Sequence, residues 1–122
     1  MSQQERQQAE RRGQRAEFIA MWLLRFKGYR ILAQGMRNSM GEIYIIAKRR
    51  HTLAFIEVKT RATLDEALNA VSKTQQQRIE RAALSFMSNR EDLSSLDMRF
   101  DVIAVLPRKW PSHLIDAWRP KI

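Results

Sequence analysis

An α/β domain with its elements in the order α-β-β-β-α-β-β is what this sequence predicts, and two patterns predict it. Apolar residues recur at helical spacing in two windows, Ala16, Ile19, Ala20, Leu23 and Leu24 early in the chain and Ile79, Ala82, Ala83, Phe86 and Met87 later. Each set marks the inward face of a helix. Apolar runs of strand length stand outside those windows, over residues 42–49, 53–60 and 98–106, bounded by polar and turn-forming residues. With 122 residues, 44% of them hydrophobic, the chain is one domain with a modest core. It has no cysteine, which excludes disulfides and thiolate metal sites and fits a reducing compartment.

Residues 1–14 read as a loose, flexible basic arm, with Arg6, Arg11 and Arg12 among Gln and Glu and Gly13 near its end. Residues 15–122 are the single domain. The first helix is expected over 14–27, where Gly28 supplies a stop. Residues 29–33 read as a short strand and 35–39 as a turn or loop. An antiparallel hairpin follows, 42–49 with 53–60, about a turn centred on Arg50 and His51. Thr63-Leu64-Asp65-Glu66 has the spacing of a capping box and starts a short helical turn. Ser72-Lys73-Thr74-Gln75 caps a longer helix over 73–88. Residues 89–97 are a polar loop, 98–106 an apolar strand interrupted by Asp101, Trp110-Pro111 a turn, and 113–118 a last edge strand.

The formal net charge is +9, from 22 Lys and Arg against 13 Asp and Glu. A field of that sign favours polyanions, so DNA or RNA is the expected partner over an inert basic surface. The first fifteen residues lack the apolar core of a signal peptide, and no run reaches the roughly 18 apolar residues of a membrane span. The expectation is a cytoplasmic protein without membrane attachment.

The chemistry concentrates in the hairpin. A turn at Arg50-His51 pairs residues whose numbers sum to 101, which sets Tyr44 opposite Glu57 and Glu42 opposite Lys59. Even spacing puts all four on one face of the sheet. A carboxylate two residues from an ammonium, in an otherwise apolar strand, suits a metal-dependent phosphodiesterase. Glu57 would hold a divalent cation and Lys59 would stabilise charge on a phosphate. Tyr44 stands where such a site wants a second carboxylate. The bland alternative is a partly buried Glu57–Lys59 ion pair with a structural role.

Gly41-Glu42-Ile43, Ile45-Ile46-Ala47, Phe55-Ile56-Glu57-Val58-Lys59-Thr60-Arg61 and Arg99-Phe100-Asp101-Val102 together resemble the YraN-type uncharacterised bacterial proteins. That family belongs to the restriction-endonuclease-like PD-(D/E)XK superfamily. The likeness runs from about Ala16 to Trp118. It implies a restriction-endonuclease-like core, a mixed central sheet flanked by helices with a one-sided active site. It further implies that a strand Asp and the Glu of Glu-x-Lys hold Mg²⁺ or Mn²⁺, often completed by a Glu of the first helix. Carried over by position, these are Tyr44 at the Asp place, Glu57 with Lys59, and Glu17. A tyrosine, with an ordinary pKa of about 10, brings no charge to a hard cation at neutral pH. Weak Mg²⁺ or Mn²⁺ binding and impaired catalysis are therefore expected, unless Glu17 or Glu42 replaces the missing ligand and leaves a working nuclease. A protein-interaction module with a vestigial site is the third reading.

Tyr44 itself has three readings: a packing replacement, a stacking surface for a base or sugar, or a phenolic ligand. Asp101 reads as structural, paired with Arg99 or a helix end. His51 reads as a turn residue, and His113 is too isolated to be given a role. Trp110 and Trp118 read as edge or core residues rather than a stacking platform. Nucleic-acid contacts are expected from the basic arm, Arg11 and Arg12 above all, and from Arg49 and Arg50.

Overall fold

The computed structural model describes residues 2–34 and 44–120, with Ala9, Glu10 and Tyr44 described through their backbone. The elements are α1 (Gln3–Phe26), β1 (Arg30–Gln34), β2 (Tyr44–Arg49), β3 (Thr52–Thr60), α2 (Leu64–Asn69), α3 (Lys73–Ser88), a 3-10 turn at Glu91–Leu93, β4 (Asp97–Val105) and β5 (Ser112–Trp118). Five strands form one sheet in the order β1-β2-β3-β4-β5. All neighbours are antiparallel except β3 and β4, which run parallel. The helical segment between β3 and β4 makes that parallel crossover possible.

Strand alternation divides the core into two layers. On one face Ala20 and Leu24 of α1 pack with Ile45, Ala47, Ala54, Ile56 and Ile103. On the other, Ile79 and Ala83 of α3 pack with Ile46, Leu53, Phe55 and Phe100. β2 and β3 are covered on both faces, so their sequences read as nearly continuous apolar runs. A mixed sheet between helices is the restriction-endonuclease-like architecture that the sequence resemblance implied.

Local signals explain most boundaries. The Thr63 side chain accepts from Glu66 N at 3.2 Å, and Glu66 Oε2 reaches back to accept from Ala62 N at 3.3 Å, one residue before the N-cap, a variant of the capping box. The Ser72 side chain accepts from Gln75 N at 3.2 Å and starts α3. Gly28 sits at φ 92, a left-handed conformation that L side chains resist, and it lets Tyr29 N close on Leu24 O at 2.9 Å.

One expectation is corrected. Residues 3–14 do not form a loose arm: α1 begins at Gln3, where the Ser2 side chain accepts from Glu5 N at 3.1 Å. The apolar stripe that signals a helix starts only at Ala16, and the described side chains before it, 3–8 with Arg11 and Arg12, are exposed. Gln, Glu, Arg and Ala still have good helix propensity, and they propagate a helix already nucleated by the packed part. The 35–39 loop, Gly41 and Glu42 lie outside the described residues, and the pairing of Glu42 with Lys59 with them.

Candidate functional site

The hairpin register is as the sequence predicts. Pairs run Tyr44–Glu57, Ile45–Ile56, Ile46–Phe55, Ala47–Ala54, Lys48–Leu53 and Arg49–Thr52. Every pair sums to 101, because the two-residue turn Arg50-His51 admits no bulge; Arg50 takes φ 55 there. The His51 carbonyl accepts from Asp97 N at 2.8 Å, which ties the turn to the start of β4.

Glu57 and Lys59 come together. Glu57 Oε1 lies 3.4 Å from Lys59 Nζ, and their side chains are 2% and 12% exposed. A buried carboxylate is tolerable only beside a compensating charge or donors. Directly across from Glu57 in the register stands Tyr44. Among the described residues no three of His, Asp and Glu gather as metal ligands. A hard divalent cation collects several oxygens, and a cation, Lys59, already stands against Glu57. These residues by themselves do not fit such an ion. Glu17 is half-buried on α1, beside the buried Ala16.

The arginines expected to contact nucleic acid do not gather in one place. Arg12, Arg15, Arg61 and Arg108 line one cleft at the carboxyl end of the parallel β3–β4 pair, with Thr60 and Val105 in its wall. This cleft begins one residue past Lys59. Arg49 and Arg50 are at the other end of β3, where Arg49 lies over the Tyr29 ring at 5.7 Å. Arg11 is exposed on α1.

A second polar centre has no counterpart in the sequence reading beyond its Arg99–Asp101 pair. Asp101 is fully buried, with 0% exposure. Its Oδ1 accepts from Arg99 Nε and Asp116 N, both at 2.9 Å. Its Oδ2 takes Arg99 and His113 Nε2, both at 2.8 Å. Arg99 also donates to the Tyr29 hydroxyl, and Lys27 Nζ meets His113 Nδ1 at 2.5 Å. Burial pushes the Asp101 carboxyl up, but the bonds from His113, Arg99 and the Asp116 amide outweigh it and hold the group below its ordinary value. Bonding to Asp101 pushes Arg99 upward. Burial lowers Lys27, helped by Arg99 and Arg49 and opposed by Asp101.

His113 is therefore a correction: far from isolated, it is a bridge between Lys27 and Asp101. A bulge makes the centre possible. The β4–β5 register shifts between Phe100 and Val102, and Asp116 turns to φ 58 to present its amide to Asp101. No local pattern announces a bulge of this kind. Asp101 pairs in register with Ile56, on the α1 face, whereas Glu57 continues the Leu53–Phe55 face. The two polar centres thus occupy different faces of the sheet.

The tryptophans divide. Trp118 stacks on Phe100 with ring centroids 5.3 Å apart, at the edge of the α3-side core, as the sequence suggests. Trp110 does not: it is 89% exposed, beside the exposed Trp22 and Phe26 of α1.

A five-stranded mixed sheet between helices, with Glu-x-Lys on its central strand, defines a restriction-endonuclease-like α/β protein. The chain belongs to the uncharacterised protein family UPF0102, whose model matches residues 16–105. It is similar to the UPF0102 protein of Paramagnetospirillum magneticum, 47% identical over 93% of this chain and 91% of that one. It is likewise 50% identical to the UPF0102 protein of a Chelativorans strain, over 89% of this chain and 88% of that one. With the Agrobacterium fabrum UPF0102 protein it shares 49% identity over 93% of each chain. No helix among the described residues is long and apolar enough to cross a membrane.

Proposed function

We propose that this protein binds nucleic acid, DNA or RNA, on an endonuclease-like scaffold whose metal-dependent catalysis is impaired. The observation that carries the reading is the cleft of Arg12, Arg15, Arg61 and Arg108 at the carboxyl end of β3 and β4, on the α1 side of the sheet and across it from the Glu57–Lys59 pair. Four guanidiniums facing one concave surface repel one another unless an anion joins them, and planar forks suit phosphate oxygens. Cleft and net charge of +9 together favour a polyanion, held mainly through its backbone and released by salt.

Impaired catalysis is supported by Tyr44, paired with Glu57 at the place of the expected carboxylate. Lys59 stays paired with Glu57 in this reading, and Mg²⁺ or Mn²⁺ binds weakly. A fluorescent duplex, a single strand and an RNA of one sequence, titrated at rising salt with and without Mg²⁺ or Mn²⁺, test both halves. Binding that weakens steeply with salt and leaves every strand intact is expected. Absence of binding at low salt would refute the first half. Metal-dependent cleavage by the wild-type protein would refute the second and favour a nuclease in which Glu17 or Glu42 replaces the missing ligand.

A further inference from the structure

Helix α1 carries two apolar stripes. Ala16, Ala20 and Leu24 are buried against the sheet, whereas Phe18, Trp22 and Phe26 are 57%, 55% and 92% exposed. The turn before β5 adds Trp110, 89% exposed, and Pro111, which close one apolar recess with Trp22 and Phe26. Single exposed apolar residues are ordinary; four aromatic rings around one recess are a site.

The recess is continuous with the arginine cleft. Ile19 lines both, and the segment from Pro107 to Pro111 contributes Arg108 to one and Trp110 to the other. Arg25 stands over the Trp22 ring at 5.8 Å, so a cation is set within the aromatic surface as well. Rings open to solvent beside guanidiniums suit a ligand that alternates flat π-faces with anionic charge. A second copy of this chain is disfavoured, because isologous contact at the recess would bring two arginine clefts, on chains of net charge +9, near each other.

Spacing distinguishes single strands from duplex. Phe18, Trp22 and Phe26 follow one another at four-residue steps, about 6 Å along the helix axis, and the Phe18 and Trp22 centroids lie 6.2 Å apart. That is nearly twice the ~3.4 Å rise per nucleotide of a duplex strand, and the two ring planes stand 70° apart, edge to face, so no pair of stacked bases lies flat on both. Rings so spaced suit bases drawn apart and stacked separately on protein, as unpaired bases are.

We infer that the aromatic face of α1 with Trp110 is a platform for unpaired bases, and that the adjoining arginine cleft holds the phosphates of the same strand. The protein thus selects single-stranded nucleic acid, or single-stranded segments of a larger one. This rests on the nucleic-acid reading above and adds to it the class of ligand.

The test uses the full chain, oligo(dT) of about 12 nucleotides, within the span of known single-strand sites, and a blunt duplex of equal length. Wild type should prefer the single strand, and oligo(dT) should quench its tryptophan fluorescence. Trp22→Ala with Trp110→Ala should lose about tenfold or more in single-strand affinity and leave duplex affinity unchanged. Both residues are exposed, so thermal melts should match wild type. Trp22→Phe with Trp110→Phe keeps flat rings and should retain single-strand affinity. Arg61→Ala with Arg108→Ala should weaken both ligands. Equal affinity for both ligands, or indifference of the single strand to the alanine pair, would overturn the platform while leaving general nucleic-acid binding intact. Failure of every nucleic acid to bind at low salt would remove the parent reading too. Docking of the aromatic face to anionic phosphatidylserine vesicles without competition from oligo(dT), or burial of that face in a dimer seen by sedimentation, would likewise overturn it.

Discussion

Tyr44 and Asp101 show how differently single residues announce themselves. Tyr44 is conspicuous because the hairpin register, set by alternation and a two-residue turn, places it across from Glu57. Tyr44→Asp should return a second carboxylate to that pair position. In chelator two facing carboxylates repel, so the variant should be less stable than wild type and regain the loss with Mn²⁺. Calorimetric titration with Mn²⁺ should show tighter binding in the variant; equal, tight binding by wild type would mean that another carboxylate already serves. Asp101 was legible as a structural acid paired with Arg99, but His113 was not legible as its partner, because β5 brings the imidazole to it across a bulge. His113→Ala should cost about 1–3 kcal/mol, the penalty for withdrawing a partner from a buried polar group, read as a drop in the urea midpoint at constant slope. The acid limb tests the carboxylate. Its folded pKa is depressed, so the stability it contributes is present above its unfolded value, about 3.9, and is lost as pH falls through the folded value. Asp101→Asn should be less stable than wild type at neutral pH and should flatten that limb. An unchanged acid limb would remove Asp101 from the account.

Elements were legible where two signals agreed. The α3 boundaries, Lys73–Ser88, follow from the Ser72 cap and the Ile79–Met87 stripe together. A mixed sheet was legible only through the family resemblance, and the parallel β3–β4 pairing itself was not legible, since period-two patterning identifies a strand but not its neighbour. The start of α1 was illegible because the described side chains of its first turns, 3–8, are exposed, and the exposed Phe18-Trp22-Phe26 stripe was illegible because apolar spacing alone does not say which stripe faces the core. The cap is open to direct measurement. Ser72→Ala should destabilise by about 1 kcal/mol, lowering the thermal midpoint by roughly 3–6 °C, while Ser72→Asp should hold it. A midpoint unmoved in Ser72→Ala would mean that tertiary packing alone fixes the start of α3.

At the scale of the whole molecule, the net charge of +9 predicted a partner class but not a place. The fold gathers Arg12 and Arg15 of α1 with Arg61 and Arg108, residues distant in sequence, and the proposed phosphate site rests on that gathering. It also moves Arg49 and Arg50 away: the nine residues of β3 lie between Arg50 and Arg61, about 30 Å at 3.3 Å per residue. Ligand length should therefore separate the two groups. Even drawn out to twice the duplex rise, about 7 Å per nucleotide, a tetranucleotide held in the cleft falls short of Arg50. Removing one arginine that neutralises a phosphate should lower the slope of log affinity against log salt by about 1, or somewhat less on single strands. Arg108→Ala should produce that decrease on a tetranucleotide and on a strand of about 15 nucleotides. Arg50→Ala should leave the tetranucleotide slope unchanged and act, if at all, on the longer strand. Equal effects of both substitutions on the tetranucleotide would show that the charge works as a diffuse field rather than through the cleft, and the phosphate site would have to be abandoned.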